Sequence, residues 1–163
     1  FSATGDRLTV AGAGADVWDT ADAFHFVWRA LDGDGEIVAR VASVQNTDRW
    51  AKAGVMIRAN LDPASPHAFM LVSPGKGYAF QRRRAQGAIS YHTAAGSGTA
   101  PQWVRLVRQG STVTAYRSGD GTSWTLAGSD TIDLGQRVLV GVAVSSHTTA
   151  ATCASVFEGV RVR

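Results

Sequence analysis

The chain predicts an all-β fold, a two-sheet antiparallel β-sandwich of jelly-roll type. Three observations carry this. Short runs of β-branched and apolar residues recur along the whole length, turn-forming residues separate them at short intervals, and helix-period hydrophobicity is weak throughout. Eighteen glycines fit many turns better than long helices. A chain of 163 residues makes one domain and can bury a core without disulfides or metal. Residues 1–163 are therefore read as a single sandwich domain.

The elements follow in order. Arg7–Ala11 alternates as a short strand, and the glycine-rich Gly12–Trp18 reads as a loop. Asp16, Asp19 and Asp22 follow at regular spacing. Turn and cap residues are the reading adopted, because the full EF-hand spacing is missing; a structural calcium ion is the functional alternative. Ala23–Leu31 alternates, with Phe24, Phe26 and Trp28 on one face as core and His25 and Arg29 on the other. Asp32–Gly35 turns the chain into Glu36–Val44, and Ala53–Arg58 follows after a polar connection. Both of these strands carry apolar residues on both faces, as central strands do, and Gly54 implies a bulge or close packing.

His67–Ser73 places His67, Phe69 and Leu71 opposite Ala68, Met70 and Val72. Tyr78–Ala85 and Ala88–Thr93 are strands, as are Trp103–Arg108 and Thr112–Arg117. Ser118–Trp124 has the order of an Asp-box hairpin, in which Asp120 shapes a turn and Trp124 packs beneath it. Arg137–Ser145 and Ala154–Val162 close the chain. Cys153 is the lone cysteine, read as a buried free thiol in a strand.

GDGEIVARV followed by WAKAGVMIR resembles a family of bacterial secreted domains with a concanavalin A-like, or laminin G-like, sandwich. Its members were named as domains of unknown function and are often called regulation-of-enolase-like. Gly14–Trp18, Phe24–Val27, Ser65–Ala68 and Trp103–Leu106 add to the resemblance, which covers nearly the whole chain. It implies an extracellular location and neighbouring domains in a larger secreted protein. It also implies a further strand ahead of the position of Phe1.

The net charge is +3, and only Arg82-Arg83-Arg84 approaches a basic cluster. Strand alternation splits those three between two faces, so a solvated edge strand is the reading and nucleic acid is not expected as a partner. No apolar run is long enough to span a bilayer, and no membrane partner is expected.

Catalysis is not expected either. Most glycosidases set two carboxylates across the scissile bond, and this chain has only two glutamates, Glu36 and Glu158, far apart in sequence. No Gly-x-Ser-x-Gly elbow is present, Cys153 has no obvious base, and the four histidines lack zinc-ligand spacing. The expectation is a non-catalytic, carbohydrate-binding domain needing no cofactor, with a polysaccharide or oligosaccharide ligand. The alternative is a protein-interaction or spacer domain that supports a catalytic neighbour.

A sugar site combines aromatic faces with a few oriented polar groups. Of the five tryptophans, Trp50 follows a polar loop and is the best platform; Trp28 and Trp124 are read as structural. Strand parity groups His25, Arg29, Arg58, His67, Gln81, Arg83 and His92 as the polar side. From these the expected contacts are His25, Trp50, Arg58, Gln81, Arg83 and His92.

Overall fold

The computed structural model describes every residue, Phe1–Arg163. It holds fifteen strands: β1 (Ser2–Thr4), β2 (Arg7–Gly14), β3 (Asp16–Trp18), β4 (Ala21–Ala23), β5 (His25–Asp32), β6 (Gly35–Val44), β7 (Lys52–Arg58), β8 (His67–Ser73), β9 (Gly77–Arg83), β10 (Ser90–Ala94), β11 (Gln102–Gln109), β12 (Thr112–Ser118), β13 (Thr125–Thr131), β14 (Arg137–Ser145) and β15 (Thr148–Val162). There is no helix. Seven strands form one sheet in the order β1-β2-β15-β6-β11-β12-β13, and six form the other in the order β10-β9-β8-β7-β14-β5. The small hairpin β3–β4 stands apart from both. The all-β antiparallel sandwich is thus the observed fold.

The main core lies between the sheets. Val10, Ile37, Val41, Val104 and Leu106 from the seven-stranded sheet meet Val55, Ile57, Met70, Phe80, Val140 and Val142 from the six-stranded one. A second, smaller cluster forms on the outer face of the six-stranded sheet, where Val17 of the hairpin packs on Met56, Phe69, Leu71, Ala79 and Ala143. This sheet is therefore covered on both sides over part of its area. That is why every residue of β7 and β8 is buried, and why both read as continuous apolar runs rather than alternating ones.

The expected central strands are central, but in opposite sheets. Glu36–Val44 lies within β6, between β15 and β11, while Ala53–Arg58 lies within β7, between β8 and β14. The polar connection between them crosses from one sheet to the other. The faces of β5 are the reverse of those expected. Phe24 and Phe26 pack against the second cluster on the outer face, and Trp28 is 45% exposed. Val27 and Leu31 take the side facing the main core. The alternation is as read, but the hairpin supplies a second apolar bed that sequence parity alone does not reveal. The expected Gly12–Trp18 loop is instead the end of β2 followed by β3.

The Asp-box turn forms with its polar parts in place. Ser118 Oγ accepts from Gly121 N at 2.9 Å, and Asp120 Oδ1 accepts from Ser123 N at 2.7 Å and Thr122 N at 2.8 Å. Those donors, led by the Ser123 and Thr122 amides, hold the Asp120 carboxyl well below the usual carboxylate range. The tryptophan against the turn is Trp103, not Trp124: a Cβ added at Gly121 would lie 2.8 Å from the Trp103 ring. Trp124 lies by the Arg105 guanidinium instead, 5.6 Å from it. Cys153 is buried and free.

Gly54 is required by close approach of the neighbouring strand. A Cβ there would sit 2.1 Å from the Met70 carbonyl oxygen and 2.7 Å from Leu71 Cα, both backbone atoms of β8. Gly54→Ala should destabilise the fold by at least about 2 kcal/mol, because backbone must shift to admit the methyl group. Urea unfolding checks this, and an unchanged midpoint would contradict it.

Candidate functional site

The outer face of the six-stranded sheet carries the unusual residues of this chain. Antiparallel register aligns them in rows across the strands. One row runs Leu139, Arg58, His67, Arg83, Ser90; the next runs Gly141, Met56, Phe69, Gln81, His92. Lys52 projects from the same face, since it stands two, four and six residues before Gly54, Met56 and Arg58.

The hairpin β3–β4 folds over the first row through Asp22. Arg83 grips the Asp22 carboxylate with two hydrogen bonds of 2.7 Å, donating from Nη1 to Oδ2 and from Nη2 to Oδ1. Arg58 Nη1 donates to Oδ2 at 3.1 Å. All three side chains are buried, so two guanidinium groups share one carboxylate in a dry interior. Backbone carbonyls take the remaining N–H groups. Arg83 donates to the carbonyls of Trp18, Asp19, Pro63, Ser65 and Ala88, and Arg58 to those of Asn60 and Asp62. Such saturation is what makes a buried ion cluster tolerable.

His67 is enclosed in the same cluster. Its Nδ1 lies 3.3 Å from the Ser65 carbonyl and 3.5 Å from Asp22 Oδ2, while Nε2 is buried without a partner. Burial, with help from the two arginines and against the pull of Asp22, lowers its pKa to about 4. His67 is neutral at pH 7.

Beyond the hairpin's edge the second row opens into a cleft of about 570 Å³, lined by Asp16, Trp18, Trp50, Lys52, Gln81, His92 and His147. Trp18 and Trp50 both stand edge-on to the His92 ring, with centroids 6.4 and 5.9 Å away. Lys52 Nζ sits deep between the two tryptophans, 5.7 Å from the Trp18 ring and 5.9 Å from Trp50. It is only 2% exposed, forms an ion pair with Asp16 Oδ1 at 2.5 Å and donates to the Val17 carbonyl at 2.9 Å. Burial lowers its pKa, and Asp16 partly offsets that. Gln81 Nε2 meets His92 Nδ1 at 3.2 Å, and Gln81 Oε1 is buried with no partner. Burial, then Lys52 and Arg82, lower the His92 pKa and favour its neutral form. His147 Nδ1 lies 3.3 Å from Asp16 Oδ2 without an aligned hydrogen bond.

Of the expected contacts, Trp50, Gln81 and His92 line this cleft together. Arg58 and Arg83 lie on the same sheet face but do not reach the cleft, because Asp22 and the carbonyls around it occupy them. His25 faces away: it borders Gly12 of the seven-stranded sheet, whose added Cβ would lie 2.9 Å from its own. The expected edge strand at Arg82–Arg84 is also different, since β10 covers β9. Arg82 and Arg84 both donate to Asp130 instead, at 2.8 and 2.9 Å. The residues that sequence reasoning did not gather are Asp16, Trp18, Lys52 and His147. Lys52 was the most accessible of them, being one of two lysines and in phase with Arg58 along one strand.

Asp16, Asp19 and Asp22 do not converge. Asp16 is paired with Lys52, and Asp22 with the arginines, while the Asp19 carbonyl accepts from Arg83. No group of three His, Cys, Asp or Glu side chains is placed to share a metal ion.

No protein-family model matches the chain, and no curated protein does. Solved structures do. A functionally unknown protein from Saccharomyces cerevisiae superposes with a TM-score of 0.78 at 16% identity, over 99% of this chain and 90% of that one. The GH43 BlXynB protein from Bacillus licheniformis superposes with a TM-score of 0.72 at 14% identity, over 96% of this chain and only 32% of that one. The carbohydrate binding module CBM66 from Bacillus subtilis superposes with a TM-score of 0.55 at 13% identity, over 97% and 95% of the two chains. At these identities the likeness is one of fold.

Two expectations concern the buried cluster. Arg83→Ala should cost about 3–5 kcal/mol of stability, since it removes the two-pronged partner of Asp22, leaving Arg58 alone on that carboxylate, and strips several carbonyls of their donor; chemical denaturation reads this, and a change below about 1 kcal/mol would contradict it. His67 has a folded pKa below its unfolded value of 6.5. Its neutral form is the one the fold accepts, so stability is full above pH 6.5 and falls as pH drops toward 4. The loss attributable to His67 should reach up to about 3 kcal/mol. His67→Gln should flatten the melting-temperature profile over that interval, whereas parallel profiles would assign the dependence elsewhere.

Proposed function

We propose that this chain is a non-catalytic carbohydrate-binding domain of an extracellular bacterial protein. The observation that carries the reading is the cleft on the outer face of the six-stranded sheet. Two tryptophans, one of them 37% exposed, flank a polar floor of Lys52 and Gln81, with Asp16 and His92 beside them. Aromatic faces stack on the C–H faces of a sugar ring, and a few fixed donors and acceptors read its hydroxyls. The likeness of fold to a carbohydrate binding module over nearly the full length of both chains supports the same reading.

The arrangement of carboxylates speaks against hydrolysis. Asp16 is the lone carboxylate lining the cleft. Glu36 and Glu158, the only glutamates, lie on the seven-stranded sheet and are paired with arginines: Glu158 with Arg40, and Glu36 with Arg105 and Arg163. The acid and base pair that most glycosidases place across a glycosidic bond has no counterpart in the cleft. The reading needs no cofactor.

The alternative is a spacer or protein-interaction domain beside a catalytic partner, which draws on the likeness to about a third of BlXynB. A glycan array followed by calorimetric titration of the best ligand separates the two. Trp18→Ala and Trp50→Ala should each weaken that ligand roughly tenfold, about 1.4 kcal/mol, with little change in melting temperature. No binding to any glycan, or affinity untouched by both substitutions, would overturn the proposal.

A further inference from the structure

We infer that the cleft takes an uncharged sugar unit through a neighbouring pair of free hydroxyls, and that it turns away sugars carrying a carboxylate. This rests on the cleft being a glycan site and names the chemistry of its ligand.

The charge within the cleft is already matched. Lys52 is its one lysine, and Asp16 Oδ1 holds the ammonium at 2.5 Å. With Gln81 Nε2 donating to Nδ1, the His92 proton sits on Nε2, and the ring is neutral. Lys76 is exposed near the Trp50 ring, 5.1 Å from its centroid, but does not line the cleft, and its charge is screened by solvent. A ligand carboxylate would find no unmatched cation inside. It would meet the Lys52–Asp16 pair, which carries no net charge to attract it.

The unused hydrogen-bonding capacity points the same way. A lysine ammonium has three N–H groups. Asp16 and the Val17 carbonyl take two, leaving one. Two acceptors remain: Gln81 Oε1, buried and unpartnered, and Asp16 Oδ2, which makes no aligned hydrogen bond to His147. His92 Nε2–H is a second spare donor, and two donors beside two spare acceptors are the complement of neighbouring hydroxyls, since each hydroxyl both donates and accepts. The pair accepts from Lys52 and His92 Nε2–H while both hydroxyls donate to the acceptors. A carboxylate only accepts, so it would use Lys52 and leave Gln81 Oε1 buried and unmet, an arrangement that costs affinity.

The test uses the whole chain in calorimetric titration at physiological salt with three kinds of probe. These are a panel of neutral gluco-, xylo- and fructo-oligosaccharides, the O-methylated form of the tightest of them, and oligogalacturonate and oligomannuronate. The best neutral ligand should bind at least about tenfold tighter than either uronate. Its O-methylated form should lose binding, because an ether cannot donate. Asp16→Asn should narrow the gap between neutral and acidic probes. Uronates binding as tightly as neutral sugars, or methylation leaving affinity unchanged, would overturn the inference while leaving the glycan reading intact. If no probe of any class binds, the glycan reading falls and this inference with it. Should Asp16→Asn fail to fold, the comparison of probes on the unsubstituted chain still decides.

Discussion

The Asp22 carboxylate, shared between Arg83 and Arg58 beneath the β3–β4 hairpin, sets the shape of the face that carries the cleft. The hairpin strands are three residues each, too short to hold a position by their own ladder. They stay because Asp22 is anchored from below and because Val17 adds an apolar contact. Arg83 also donates to the Trp18 carbonyl, so the residue that fixes the hairpin also fixes the backbone of a cleft tryptophan. A buried carboxylate with two guanidinium partners is a poor source of net stability, but it is highly directional. Here its direction determines where Trp18 stands.

The two halves of that sheet face thus differ in kind. In the Arg58–His67–Arg83 row, polar groups face one another and are closed to solvent. In the adjacent row, Gln81 and His92 face a cleft, and one amide oxygen is left without a partner. Both rows come from the same strands at a spacing of two residues. What separates them is the edge of the hairpin, and this single boundary divides enclosed polar groups from those that line the cleft.

Much of the fold was legible because period-two patterns are local. His67–Ser73 and Arg137–Ser145 were bounded as they stand in the structure, and the faces of His67–Ser73 were assigned correctly. The strand Thr125–Thr131 went unread, since its sequence TLAGSDT is half polar and exposed. Site residues were legible only in part. Trp50, Gln81 and His92 converge on the cleft, and parity put Arg58 and Arg83 on the same sheet face but not in the cleft. Parity cannot say what covers a face. The cover is the hairpin, whose aspartates, just after Gly12 and Gly14 at the end of β2, read as part of a loop. The same blind spot reversed Phe24 and Phe26, which follow the apolar bed the hairpin creates. His147 carries no pattern at all: it sits in a turn after β14 with φ of 56°.

The ladder order bears on how the molecule assembles. β14 lies between β5 and β7, and β15 between β2 and β6, so late strands insert between early ones in both sheets. Neither sheet can close until the last third of the chain has joined. Topologies dominated by such distant pairings fold on roughly the millisecond-to-second scale. The cleft draws Asp16 from near the start and His147 from near the end, so it exists only in the finished molecule. Occupancy of the cleft therefore reports completed folding, and any ligand that fills it must stabilise the whole chain by mass action.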